Sequence, residues 1–284
     1  MVLNYITWNL DPVAFSVGPL SVRWYGICWA LGFLLGYLLM NKVYKKERMP
    51  EGSLDSLLIY MLVSTVIGAR LGHCLFYEPQ YYLSHPLDIL KIWEGGLASH
   101  GGAIGILIGL WLYVRRFNKS TKKEKTDKQR ISYLWILDRI VIPVCLVGAL
   151  IRVGNVCNSE IYGTPTTLPW GFVFVRGNEQ FQGPDGQLLP CHPTGLYEAF
   201  FCLVAMVLLL WMFKRGLGDK RPGLMFGTFL IIIFGSRICI EFLKNVQVEF
   251  EKSMVLDMGQ WLSVPFVLVG VAMIILAFRK GDAR

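Results

Sequence analysis

Five arginines stand inside stretches of this sequence that are otherwise apolar: Arg23, Arg70, Arg139, Arg152 and Arg237. A charged residue at mid-bilayer costs about 2.5–3.5 kcal/mol on insertion scales, so such residues usually face a bundle interior and serve a function. None of the five positions is a lysine. A guanidinium presents a planar fork that meets phosphate or carboxylate with two parallel hydrogen bonds, which a point-like ammonium does not. Glu241 follows Arg237 by four residues, a spacing that puts both on one helix face. His100 lies in Ser99-His100-Gly101-Gly102-Ala103, and Tyr25 follows Arg23 by two. Plainer roles stand beside these. Arg23, near a span end, can snorkel to headgroups, and His100 can be a hydrogen-bonded packing residue. The pair Gly101 and Gly102 admits either a headgroup or a neighbouring helix at close range. Snorkelling explains Arg70 and Arg237 poorly, because both sit several residues inside their spans.

The elements that must hold these side chains are long apolar helices. Of 284 residues, 54% are apolar and 17% charged, against about 25% charged in soluble domains. Apolar runs such as Leu203–Phe213 belong to longer stretches of about 20 residues, the length of a transmembrane helix. Seven spans can be drawn, at about residues 19–41, 54–77, 96–114, 132–153, 195–213, 223–243 and 257–278. The expected fold is therefore an all-α, polytopic transmembrane bundle forming a single domain over 1–284. The residues from about 155 to 194 are rich in turn signals and contain a strand-like run, Trp170 to Val175; they are expected to form a small cap on the outer face. Met1–Pro12 has no basic residue and no apolar core before a small-residue cleavage site, so it does not read as a signal peptide.

Loop charge orients the spans. Nineteen of the 28 basic residues fall in the segments after spans one, three, five and seven; the alternate segments hold four, Lys91, Arg176, Lys244 and Lys252. The positive-inside rule then places the N-terminus outside and the C-terminus in the cytoplasm. With that orientation Arg23, Arg70, Arg152 and Arg237 all lie toward the outer leaflet, with Arg139 toward the cytoplasm. The net charge of +8 is thus accounted for by topology and lipid contact, and a nucleic-acid partner is not expected.

The run Arg152-Val153-Gly154-Asn155-Val156-Cys157-Asn158-Ser159-Glu160-Ile161-Tyr162-Gly163 resembles the signature of the prolipoprotein diacylglyceryl transferases, Gly-Arg-x-Gly-Asn-Phe-x-Asn-x-Glu-x-x-Gly. Ile151 stands for the leading Gly and Val156 for the Phe, while the Arg, both Asn, the Glu and the final Gly are kept. Arg23-Trp24-Tyr25-Gly26, His100-Gly101-Gly102, His192-Pro193-Thr194-Gly195-Leu196-Tyr197-Glu198 and the helix with Arg237 and Glu241 match in order. Relatives usually have Gln at Gly195 and often Tyr at Ile233. The resemblance implies an enzyme of a bacterial inner membrane that moves the diacylglyceryl group of phosphatidylglycerol onto the cysteine thiol of a prolipoprotein signal peptide, the first step of lipoprotein maturation. It implies His100, Arg152 and Arg237 as catalytic residues, with His100 either the base that takes the thiol proton or a ligand of the lipid glycerol. Arg152 and Arg237 would clamp the phosphate. Asn155 and Asn158 would orient the headgroup or backbone. Glu160 and Glu241 would steady the arginines, and Tyr25 would donate to the lipid. Gly163, Gly101, Gly102, Arg70 and His192 complete the implied binding residues. Asp138 and Arg139 are expected to be structural.

No metal or other cofactor is expected. The four histidines are scattered, and neither a His-x-x-x-His nor a Cys-x-x-Cys spacing occurs. Of the seven cysteines, Cys157 and Cys191 lie outside the drawn spans, and a disulfide between them is left open. The rival function is a secondary transporter. A transporter site usually lies at the midplane between repeats, whereas here the polar residues gather at one leaflet and no repeat is visible. A seven-span receptor leaves that gathering unexplained.

Overall fold

The structure is a computed structural model and describes residues 5–92, 96, 98–123, 130–177, 181–244 and 257–281. In chain order the elements are β1 (Ile6–Trp8), β2 (Val13–Val17), β3 (Leu20–Arg23), α1 (Trp24–Lys46), α2 (Ser53–Phe76), α3 (Pro79–Ser84), a 3-10 turn (Pro86–Leu90), α4 (Ser99–Lys123), α5 (Tyr133–Cys157), β4 (Phe172–Phe174), α6 (Thr194–Lys214), α7 (Leu217–Lys220), α8 (Leu224–Glu241) and α9 (Met258–Gly281). They form two compact units, one of Met1–Met40 with Asp138–Arg284 and one of Asn41–Leu137.

Among the described residues, α1, α2, α5, α6, α8 and α9 are long and apolar enough to cross a membrane. Leu34, Ile59, Ile67, Val207 and Leu268 are exposed on them, as lipid-facing helices require, since lipid tails are as apolar as leucine. The protein is a multi-pass helical membrane protein with small sheets. The remaining expected span, 96–114, is α4, whose 25 residues are long enough to cross; its polar first turn and the Arg115 and Arg116 that follow Val114 make it less apolar than the other six.

In the first unit, buried Asp138 on α5 accepts hydrogen bonds from the backbone N–H of Gly223 (2.7 Å) and Phe226 (2.8 Å). It thereby caps the N-terminus of α8, where unpaired N–H groups and the helix dipole favour a carboxylate. Arg139, fully buried, pairs with Asp219 on α7. This agrees with the structural role expected of Asp138 and Arg139.

The cap is built by two distant parts of the chain. β4 lies where the strand-like run was expected, and β1 pairs with it in parallel, Ile6 with Phe172 and Trp8 with Phe174. Val156, Tyr162, Phe172, Phe174 and Cys191 make its core, with Trp8, Phe181 and Leu196 packed against them. The Trp8 indole N–H also donates to the Val156 carbonyl at 2.9 Å. The N-terminal residues therefore correct the drawn boundary of span one. Residues 20–23 are β3, paired antiparallel with β2, and the helix begins at Trp24. Arg23 is the exposed last residue of a strand, not part of a span. Cys157 and Cys191 carry free thiols, so the disulfide left open is not formed.

In the second unit α2 and α4 pack against each other with glycine facing glycine. A Cβ on Gly101 would collide with the Gly68 carbonyl oxygen and stand 2.8 Å from the Gly72 Cα. Glycine on both sides is what permits this approach of two helix backbones.

Candidate functional site

The signature run forms the end of α5 and the turn that closes it. Glu160 N–H bonds back to the Asn155 carbonyl and Ser159 N–H to the Val156 carbonyl, at 3.0 and 2.9 Å, with Ser159 at φ 55°. That is the paired bonding of a Schellman cap. Ile161 also has a positive φ of 56°, a rare state for a β-branched residue. The turn brings the Glu160 carboxylate onto the side-chain amides of Asn158 (3.2 Å) and Asn155 (3.5 Å). Among the described residues, the partners given to the Glu160 carboxylate are these two asparagines, in place of the arginine expected of it.

The carboxylate on Arg152 is Glu198, in the first turns of α6. Arg152 meets it through Nε. The other Glu198 oxygen, Oε1, is 2.6 Å from Lys244 Nζ. Lys244 also reaches Glu241 Oε2 at 3.2 Å, and the same oxygen lies 3.9 Å from Arg237 Nε. The charged groups thus form a continuous ladder, Arg152–Glu198–Lys244–Glu241–Arg237, drawn from α5, α6 and α8 with the turn beyond it. Its centre is dry and its ends are not: the side chains of Lys244, Glu198 and Glu241 are 6%, 9% and 12% exposed, those of Arg152 and Arg237 27% and 41%. Arg152 is in close contact with its carboxylate through Nε, whereas Arg237 Nε and Glu241 stand 3.9 Å apart, beyond hydrogen-bond reach. Glu198 stands in the motif His192–Glu198 and Lys244 among the loop charges, and the sequence alone gives neither of them a site role. The signal for Lys244 was its place three residues after Glu241, one helical turn on.

Gly163 and His192 fix the ladder from the cap. Gly163 forms an isolated antiparallel bridge with Lys244 and its N–H donates to the His192 carbonyl at 2.8 Å. A Cβ there would collide with the Leu243 carbonyl oxygen and stand 2.9 Å from Thr194 Cγ2. His192 Nδ1 is 3.2 Å from the Tyr197 hydroxyl, and burial holds its imidazole below the usual pKa. Tyr25 lies one residue into α1, half-buried; its ring packs against Gly154, where a Cβ would be 3.0 Å from Tyr25 Cδ2.

The remaining sequence candidates belong to the second unit. His100 is exposed at the second residue of α4. Gly101 is a helix-packing residue, as described above, whereas a Cβ on Gly102 would meet only ordinary contacts, the nearest at 3.6 Å from Ala69 Cβ. Arg70 is 3% exposed. Its Nε and two terminal nitrogens donate to the carbonyls of Ile89 (2.9 Å), Gly96 (3.3 Å) and Asp88 (2.6 Å), and its guanidinium lies over the Tyr82 ring. Arg70 organises the backbone after α3 through these bonds.

Helices of membrane length and a ladder of paired charges at their ends define a polytopic membrane protein with a built ionic site. A family model described as prolipoprotein diacylglyceryl transferase matches residues 12–276. Proteins named phosphatidylglycerol--prolipoprotein diacylglyceryl transferase are 46% identical in Tolumonas auensis, over 96% of this chain and 98% of that protein. The corresponding figures are 44%, 98% and 97% in Chloroherpeton thalassium, and 45%, 97% and 96% in Porphyromonas gingivalis. The chain belongs to the prolipoprotein diacylglyceryl transferase family and is a transferase.

Proposed function

We propose that this enzyme transfers the diacylglyceryl group of phosphatidylglycerol to the lipobox cysteine of a prolipoprotein, with Arg152 and Arg237 as its phosphate clamp. The thiol sulfur attacks the glyceryl carbon that bears the phosphate ester. The C–S bond forms as the C–O bond breaks, the bonding pair leaves on the phosphate oxygen, and glycerol phosphate departs. A free thiol of pKa about 8.5 is mostly protonated at neutral pH, so a base must take its proton; His100 is the candidate for that role, the alternative for it being a ligand of the lipid glycerol. Negative charge grows on the leaving oxygen, where preorganised guanidinium donors stabilise the transition state more than the ground state. Tyr25, Asn155 and Asn158 orient the headgroup, and no metal or other cofactor takes part.

The observation that carries this reading is the way the arginines are held. Arg152 is gripped at Nε by Glu198, Arg237 has Glu241 at 3.9 Å from its Nε, and each arginine is partly exposed at an end of the ladder. A fork fixed from behind is suited to a ligand phosphate. The excess of loop Lys and Arg supports an orientation with the N-terminus outside, so that the ladder serves the outer leaflet of the bacterial inner membrane, covered by the cap within one membrane domain. The test is transfer by the purified protein from phosphatidylglycerol to a synthetic signal peptide with one cysteine. The expected product is the peptide thioether with one glycerol phosphate released per turnover; intact lipid and unmodified peptide after prolonged incubation would refute the assignment.

A further inference from the structure

We infer that Lys244 is the positioning residue that joins the two arginines into one site and supplies its excess charge. The inference rests on the clamp reading of Arg152 and Arg237. Lys244 is the only link in the ladder that touches both carboxylates, at 2.6 and 3.2 Å. Without it Glu198 and Glu241 would face each other with no cation between them, a repulsion that low dielectric makes severe.

Charge balance points the same way. Three cations and two carboxylates leave the ladder at +1, the complement of the single negative charge on a phosphodiester. Removing the ammonium would leave two neutral arginine–glutamate pairs with no surplus for the substrate. The need grows during reaction, because the released phosphate is a monoester with a second ionisation of pKa about 6.

The backbone around Lys244 is built to place it. Its N–H donates to the Glu241 carbonyl at 3.0 Å, and the neighbouring Leu243 carbonyl accepts from the Thr164 N–H at 2.8 Å. The bridge to Gly163 locks that turn to the cap. A lysine with 6% side-chain exposure loses much hydration, and two carboxylates at hydrogen-bonding distance are the compensation such burial demands.

The experiment uses the full-length protein in phosphatidylglycerol nanodiscs with the single-cysteine peptide. Lys244→Met, Lys244→Gln and Lys244→Arg are compared by single-turnover rate, lipid affinity and melting temperature. Lys244→Met and Lys244→Gln should each lose roughly 100-fold in rate, the scale of one lost preorganised donor, with lipid affinity changed only a few-fold. Lys244→Arg should recover most of the rate. In Lys244→Met, adding Glu241→Gln restores the +1 balance and should regain part of the activity. Near-wild-type rates for the Met and Gln variants would overturn the inference. So would loss of the folded state in both, which would make Lys244 a stability element, or an equal loss in the Arg variant. Arg152→Lys and Arg237→Lys are measured alongside. If they are fully active the clamp reading itself fails; if they are inactive while Lys244→Met is active, only the role of Lys244 falls.

Discussion

At the scale of single residues, the ladder separates what charge does from what geometry does. Arg152 is oriented by Glu198, Arg237 has Glu241 at 3.9 Å, and an ammonium on a flexible stem would keep the charge but lose the fork. Arg152→Lys and Arg237→Lys should each slow single-turnover transfer by roughly 100-fold at saturating lipid, with the loss in the chemical step more than in affinity. Arg23→Lys, at the exposed end of β3, should be nearly silent, which makes it the internal control. Equal tolerance at all three positions would reduce the clamp to general attraction for headgroups. His100 calls for a different readout. His100→Gln should abolish transfer near pH 7 with lipid binding kept, and part of the rate should return as pH rises toward about 8.5, where the acceptor thiol ionises unaided. Lost lipid binding with no recovery would instead make His100 a headgroup ligand.

At the scale of elements, the chain advertises some features and conceals others. The long apolar runs of α5, α6 and α9 are legible because stretches of about twenty predominantly apolar residues have few structural uses outside a bilayer. Arg237 with Glu241 is legible because both lie on α8 at helical spacing. The strands at the N-terminus are not, because a hydropathy average over a long window absorbs Leu20 and Val22 into span one; their alternation with Ser21 and Arg23 was the missed sign. Nor is the partnership of Arg152 with Glu198, forty-six residues on, or that of β1 with β4, since both depend on how the cap folds back on the helix ends. Gly163 tests this cap-to-helix joint. Gly163→Ala puts a Cβ against the Leu243 carbonyl oxygen and the Thr194 methyl, and neither backbone can yield without moving Lys244. Overpacking of this kind costs about 1–3 kcal/mol, so the variant should melt lower and transfer more slowly. Gly186→Ala, at a turn with open space around it but a φ of 74° that strains alanine, should cost stability and spare the rate. If Gly163→Ala matched the parent in both measurements, the joint would not be rigid.

At the scale of the whole molecule, the distribution of charge decides which leaflet the enzyme serves. The ladder carries its own counter-charges, so it contributes little to the asymmetry between the two membrane faces. The asymmetry comes from the loops: with Lys244 paired in the ladder, the other loop residues on the expected outer side are Lys91, Arg176 and Lys252. Two of these are matched in number by nearby acids, Lys91 pairing with Asp88 and Arg176 with Asp11. The opposite side keeps its nineteen basic residues, and it is Lys and Arg near the span ends that hold a loop in the cytoplasm. A cysteine placed at Ser120, beyond the apolar part of α4, should therefore resist a membrane-impermeant thiol reagent in intact cells and react once the membrane is opened. A cysteine at Gly183, in the cap, should react in both cases. All seven native cysteines are free thiols, so the comparison is made in a background with these replaced and activity retained. Labelling of the Ser120 position in intact cells would invert the topology. The ladder would then face phosphatidylglycerol of the inner leaflet, and an acceptor cysteine would have to be modified before its signal peptide had crossed.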